Sequence, residues 1–234
     1  MQFSKVASAL FPRRCAICDE AILPEELTCR KCAAKIRPIN GETCRKCGKR
    51  LADTERLTCY DCSRKIHYFD RGYAIFEYAD VRTSLYRFKY AGRAEYAQMY
   101  AYYANEILGD TLRKLNADAL IPVPIHRRRL NRRGYNQAEV LARALSAYIN
   151  VPVINDCVIR QKYTVPLKKL DERGRINNLK KAFIIGSNGV KLSTIVIIDD
   201  IYTTGTTIDA ISRLFRESGV KNIYYITVAI GRGL

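Results

Sequence analysis

Ile195-Val196-Ile197-Ile198 is an unbroken run of β-branched apolar residues. Without polar alternation, such a run reads as a parallel strand buried on both faces. Shortly after it, Ile208, Ile211, Leu214 and Phe215 recur at helical spacing, so a helix starts just past Gly205. The same switch of period recurs along the chain. Tyr73–Tyr78 and Ala119–Val123 read as strands, and Val151–Ile154 and Asn222–Ile230 as further ones. Helices are predicted over Tyr135–Ile149 and over Ala94–Leu115, where Tyr96, Tyr100, Tyr103 and Ile107 share one face. Strands alternating with helices predict an α/β fold built on a parallel, doubly wound sheet. Ligands of such sheets sit at the C-terminal ends of the strands. The core of this domain is expected to start near Ala117, and the domain itself to cover residues 68–234.

Residues 1–67 follow another rule. They hold eight of the nine cysteines as four Cys-x-x-Cys pairs: Cys15/Cys18, Cys29/Cys32, Cys44/Cys47 and Cys59/Cys62. The gaps between pairs are ten, eleven and eleven residues. A two-residue gap lets two thiolates grip one tetrahedral ion from a single turn, and two pairs complete a closed site of four thiolates. Eight cysteines therefore suit two structural zinc ions, and the near-equal gaps suggest a duplicated ribbon. The alternatives are a crossed pairing, disulfides or a redox relay; sequential pairing is the expectation. Ahead of the first pair, Met1–Phe11 has an apolar face but is too short for a membrane span. It is expected to be a short helix packed on the body. With no signal peptide evident, the expected location is the cytoplasm.

Composition adds a sign. The 234 residues carry a formal net charge of +17. That excess implies polyanionic partners, either nucleic acid or phosphorylated small molecules. Some of it lies in the cysteine-rich segment, where Arg and Lys offset thiolate charge or meet phosphates. Two further concentrations lie in the main domain. Arg127, Arg128, Arg129, Arg132 and Arg133 fall within seven residues after the Ala119–Val123 strand, and Arg160, Lys162 and six more cations lie between 160 and 181. Guanidinium forks suit pyrophosphate and nucleic-acid backbone alike. In Ser84–Tyr90, Tyr86, Phe88 and Tyr90 interleave with Arg87 and Lys89. That pattern reads either as a stacking platform or as an amphipathic helix with its aromatics inward, the preferred reading.

The most specific chemistry follows the apolar run. Asp199 and Asp200 are succeeded by Thr203-Thr204-Gly205-Thr206-Thr207 at the start of the helix. Unpaired N–H groups at a helix N-terminus and the helix dipole favour an anion, while Thr and Gly admit a phosphate close to the backbone. Two carboxylates repel phosphate; sugar hydroxyls or a hard cation are their partners. Phosphate on one side and a diol on the other describe a ribose phosphate. The alternative is an ordinary β–α turn with a capping acid.

This stretch resembles the signature loop of type I phosphoribosyltransferases, which bind phosphoribosyl pyrophosphate (PRPP). The resemblance implies that Asp199 and Asp200 hold the ribose hydroxyls, that Thr203 to Thr207 wrap the 5′-phosphate, and that Mg2+ accompanies the pyrophosphate. It also implies a pyrophosphate loop where the five arginines lie and a mobile catalytic loop over 160–181. Purine-salvage members carry an acid where this chain has Thr203, which argues against that substrate class. Over nearly the whole chain the order of features is similar to ComF-type competence proteins. The matching elements are the cysteine array, Lys89-Tyr90-Ala91-Gly92, Pro122-Val123-Pro124, Arg133-Gly134-Tyr135-Asn136-Gln137, Arg160 with Thr164, Arg173 to Asn177 with Ala182-Phe183, and the Asp199–Thr207 loop. This resemblance implies a type I phosphoribosyltransferase-like sheet preceded by a double zinc ribbon. It also implies a role in natural transformation, handling single-stranded DNA beside a helicase-like partner. Two functions follow: a PRPP-binding protein that handles single-stranded DNA, or an enzyme that transfers phosphoribosyl to an amine or nucleobase and releases pyrophosphate. A purely structural adaptor ranks last, because its phosphate loop would be degraded. His67 is expected at the surface, His126 in the arginine loop, and Cys157 in the core.

Overall fold

The structure, a computed structural model, describes residues 12–53, 55–161, 182–186 and 191–231. The predicted helix over Met1–Phe11 and most of the second basic stretch, Lys162 included, lie outside the described residues.

The cysteine-rich segment folds as two copies of one unit. Short antiparallel bridges, Arg14 with Ala21 and Thr43 with Arg50, pin the first knuckle of each copy. The second Cys pair of each copy opens a one-turn helix: α1 (Arg30–Ala33) and α2 (Tyr60–Ser63). The hydrogen bonds repeat as well. Cys15 N donates to Glu20 O at 2.8 Å, and Cys44 N to Lys49 O at 2.7 Å. The residue after each knuckle is left-handed: Asp19 at φ 70° and Gly48 at φ 73°. Asp tolerates that conformation, and glycine takes it freely. Gly48 has a further reason to be glycine, since a Cβ there would lie 2.7 Å from Gly72 O.

The main sheet has four parallel strands in the order β1, β6, β5, β2. These are β1 (Arg71–Glu77), β2 (Ala119–Pro122), β5 (Thr194–Tyr202) and β6 (Asn222–Ile230). Three corrections follow. The sheet does not begin at Ala117: β1 is already its edge, paired with β6 some 150 residues later in the chain. Val151–Ile154 is reduced to a single bridge, Val153 with Leu120, flanked by Leu120 N to Pro152 O and Ile154 N to Leu120 O. Pro152 has no N–H to extend the ladder. The arginine stretch is a helix rather than a loop, α5 (Arg127–Arg133), with His126 as N-cap and Gly134 at φ 82° closing its end.

Helices α3 (Tyr78–Tyr90), α4 (Tyr96–Lys114) and α6 (Gln137–Ile149) pack one layer, and α7 (Thr206–Glu217) follows β5. A separate antiparallel pair, β3 (Val158–Arg160) and β4 (Phe183–Ile185), brackets the second basic stretch. In α3 the aromatics split. Phe88 is buried, whereas Tyr86 and Tyr90 are 63% and 51% exposed. The preferred inward reading therefore holds for Phe88 alone.

Both ribbons are seated on the α/β body. From the first copy, Asp19 takes a salt bridge from Arg93 at 2.8 Å and a hydrogen bond from the Tyr96 hydroxyl at 2.5 Å. Ser84 donates to Ala16 O, and Arg87 to Ile17 O at 3.0 Å. From the second copy, Gly72 N donates to Lys46 O at 2.7 Å, and the Tyr225 hydroxyl to Cys47 O at 2.9 Å. No helix among the described residues is long and apolar enough to cross a membrane.

Candidate ribose-phosphate site and its zinc buttress

Strand β5 runs through the two acids to Tyr202, so Asp199 and Asp200 sit within the strand and not past its end. Register with β6 places Asp199 opposite Thr227, above the buried level of Ile197 and Ile198. Asp199 Oδ1 accepts the Asp200 backbone N–H at 2.8 Å. Asp200 Oδ1 lies 2.8 Å from Lys89 Nζ, reaching across from the end of α3. Burial above all, then the neighbouring Asp200 charge, pushes the Asp199 carboxyl up to about 7. The Asp200 N–H, Lys89 and Arg160 oppose that rise. Arg160, on β3, is itself brought down to about 10 by burial and then by Arg129, with Asp199 acting the other way. The acids therefore face two cations from different elements. Sequence reading placed Arg160 in the site but gave Lys89 no role there. Its signals were its place in the Lys89-Tyr90-Ala91-Gly92 element of the family resemblance and its position between Phe88 and Tyr90 at a helix end.

The phosphate cradle is the turn from β5 into α7. Gly205 is the N-cap of α7 at φ 77°. A Cβ there would lie 2.4 Å from the Tyr202 hydroxyl, so only glycine fits on both counts. Thr204 and Thr206 hydroxyls meet at 2.7 Å. With Asp199, Thr203 and Thr207 they line a shallow hollow of about 20 Å3, room for about one water molecule, at the mouth of the helix. The first N–H groups of a twelve-residue helix border it.

The five arginines of α5 do not converge. Arg129 lies near Arg160, whereas Arg133 stacks its guanidinium 4.9 Å over the Tyr90 ring and Arg132 lies 5.9 Å from it. Arg127 and Arg128 are exposed. His126 Nδ1 accepts Arg128 N at 3.2 Å. Slight burial, then Arg128, Arg160 and Arg129, hold its pKa below the ordinary histidine value.

Both cysteine clusters fit zinc. Ligand atoms of Cys15, Cys18, Cys29 and Cys32 all lie within 4.8 Å of one another, as do those of Cys44, Cys47, Cys59 and Cys62. The pairing is the sequential one expected. Sγ–Sγ distances of 3.8 Å (Cys18–Cys29) and 3.6 Å (Cys47–Cys59) agree with the roughly 3.8 Å edge of a tetrahedron with 2.3 Å Zn–S bonds. All eight thiols are unbridged. Four thiolates close each site, which leaves a structural role for the ion.

The second cluster reaches the cradle through aromatics. The Tyr225 ring, bonded to Cys47 O, stacks on Tyr202 with centroids 5.0 Å apart and planes 2° apart. Phe69 meets both rings edge-on. His67, expected at the surface, has a side chain only 2% exposed; its Nδ1 pairs with Asp209 in the first turn of α7 at 2.8 Å. Tyr68 N also donates to Asp209 at 3.2 Å. The segment after the second ribbon thus clamps the start of α7, which is why His67 is buried. Cys157 is a buried core residue.

Comparison with known families matches these two halves separately. Residues 6–63 match the double zinc ribbon domain, and residues 130–233 match the phosphoribosyl transferase domain. The chain is thus similar, in sequence order, to a double zinc ribbon and then to a phosphoribosyl transferase domain. Its homologues include Competence protein F of Haemophilus influenzae, 40% identical over 108 residues, or 45% of this chain and 47% of that protein. DNA utilization protein YhgH of Escherichia coli K12 is 34% identical over 106 residues, 45% of this chain and 46% of its own. Competence protein ComFC of Bacillus subtilis is 29% identical over 153 residues, 62% and 58% of the respective chains. The matches thus span about half the length of these relatives. A solved purine phosphoribosyltransferase from Pyrococcus horikoshii Ot3 aligns over 58% of this chain and 73% of its own at 18% identity, with a TM-score of 0.33, too weak a likeness to argue from.

Proposed function

We infer that the phosphoribosyltransferase domain binds PRPP, with Mg2+ on its pyrophosphate, and that the protein acts in the handling of incoming single-stranded DNA. The observation that carries the first half is the adjacency of the acid pair to the threonine–glycine cradle on one strand–turn–helix unit. Asp199 and Asp200 accept from the 2′- and 3′-hydroxyls. Thr203, Thr204, Gly205, Thr206 and Thr207 wrap the 5′-phosphate. Arg160, beside Asp199, and Arg129, near Arg160, take the pyrophosphate end; Lys162, outside the described residues, is a further candidate for it by sequence alone. Bound Mg2+ would neutralise pyrophosphate charge. The DNA half rests on the net charge of +17 and on the competence and DNA-utilization names of the relatives. A helicase of the same pathway is the expected protein partner, and the cytoplasm the place. Calorimetric titration of PRPP with Mg2+ into the zinc-loaded protein tests the site: saturable heat is expected, and its absence removes the reading.

Turnover is the second reading, favoured by the cations set against the acid pair, which suit a leaving pyrophosphate. Release of pyrophosphate from PRPP with any amine or nucleobase acceptor would establish it. No release across an acceptor panel would leave a binding protein.

A further inference from the structure

Helix α3 shows two faces. Val81, Leu85 and Phe88 are buried against the body, while Arg82, Tyr86 and Tyr90 follow one another at four-residue intervals on the solvent side. Residues four apart on a helix are neighbours about 6 Å apart along its axis. The Tyr86 and Tyr90 centroids lie 5.1 Å apart. Two large aromatics left in water contribute little to the core, and here Tyr90 is held in place with Tyr86 packed against it. Arg133 covers one side of Tyr90, donates to its hydroxyl at 3.3 Å, and is fixed in turn by Gln137 at 2.8 Å. Tyr135, two residues on, donates to Phe88 O and so ties the end of α5 to α3. Lys89, between the buried and exposed aromatics, reaches Asp200 of the ribose site. A pair of exposed rings, inclined at 51° to each other and with guanidiniums over Tyr90, therefore starts at the rim of that site.

We propose that Tyr86 and Tyr90, with Arg132 and Arg133, form a stacking platform that receives the bases of single-stranded nucleic acid beside the ribose site. The proposal rests on the DNA-handling reading above and names the surface that performs it. Ring faces accept any unpaired base, and the adjoining guanidiniums meet the strand's phosphates. A duplex, with its bases stacked on each other, offers the rings nothing. The strand is thereby held without regard to sequence.

The test is fluorescence anisotropy of a labelled twenty-nucleotide oligothymidine against the full zinc-loaded chain, at several salt concentrations. Tyr86→Ala and Tyr90→Ala are each expected to weaken binding by about five- to a hundredfold, the range for one base–aromatic stack. Tyr86→Phe and Tyr90→Phe, which keep the ring face, should stay within about twofold of the unmodified protein. Arg132→Gln should lower the salt slope by about one; the Tyr variants should leave the slope unchanged. Tyr86→Ala should bind PRPP as the unmodified protein does. If the unmodified protein binds the strand and the Tyr86→Ala/Tyr90→Ala double variant binds it equally well, the platform is refuted while strand binding stands. If the unmodified protein binds no strand at low salt, the DNA-handling reading falls and takes the platform with it. A duplex of equal length bound as tightly as the single strand would also overturn the proposal.

Discussion

Replacing Asp199 by Asn should stabilise the protein while weakening ligand binding. Asp199 ionises at about 7 in the folded state and at its ordinary value of 3.8 when unfolded. A raised folded-state pKa in a carboxylate means that the native form favours the protonated acid. The penalty is absent below about pH 4, grows as pH rises through the window from about 4 to 7, and is constant above it. The gap corresponds to at most about 4 kcal/mol at pH 8, at 1.36 kcal/mol per pKa unit. Asn is neutral throughout, and its carbonyl oxygen still accepts the Asp200 N–H that Asp199 Oδ1 accepts at 2.8 Å. Thermal unfolding at pH 8 should therefore show a gain of several degrees, at roughly 2–4 °C per kcal/mol for a chain of this size. The gain should vanish near pH 4. PRPP affinity should fall by about tenfold or more, since hydrogen bonds to a charged acceptor contribute about 1.5–3 kcal/mol. Equal stability of the two proteins at pH 8, or a difference that does not change between pH 8 and pH 4, would refute the electrostatic reasoning.

Three further perturbations follow. Lys89→Gln removes one of the two cations that lower the Asp199 pKa, so the pH midpoint of PRPP binding should move upward; calorimetry across pH 6 to 9 checks it, and an unmoved midpoint contradicts it. The double variant Cys44→Ser/Cys47→Ser should retain one zinc per chain by metal analysis, because the clusters share no ligand; unchanged metal content would undo the ligand assignment. Tyr225→Phe deletes the hydrogen bond to Cys47 O, worth about 1 kcal/mol. Chelator-driven zinc loss from the second cluster should quicken roughly fivefold with the first unaffected, and equal rates would show that the aromatic stack does not support that cluster.

The elements legible in the sequence are those whose signal is local. The β-branched run, the helical period after Gly205 and the two-residue cysteine gaps each encode their own geometry, and each is found where expected. Sequential cysteine pairing was the favoured reading, with a crossed one left open, because the gap from Cys32 to Cys44 equals that from Cys47 to Cys59; the grouping in the structure decides it. What was not readable depends on distant contacts. β1 joins the sheet only through β6, and a long-range parallel pairing leaves no local mark. Lys89 belongs to the site only because α3 packs so that its last turn overlooks β5. His67 is polar and follows a ribbon, so it reads as surface; its partner, Asp209, is 142 residues away. The arginine cluster showed its charge but not its partners, because Arg129 and Arg133, four residues apart on one helix, meet neighbours from different elements, Arg160 and Tyr90.

The central claim is that paired carboxylates beside a threonine–glycine turn hold a phosphorylated ribose. Titrating PRPP and Mg2+ into the zinc-loaded protein at pH 8, alongside the Asp199→Ala/Asp200→Ala variant, tests it most directly. The account predicts one saturable site in the unmodified protein and none in a variant that still melts cooperatively. Equal heats in the two proteins, or none in either, would contradict it.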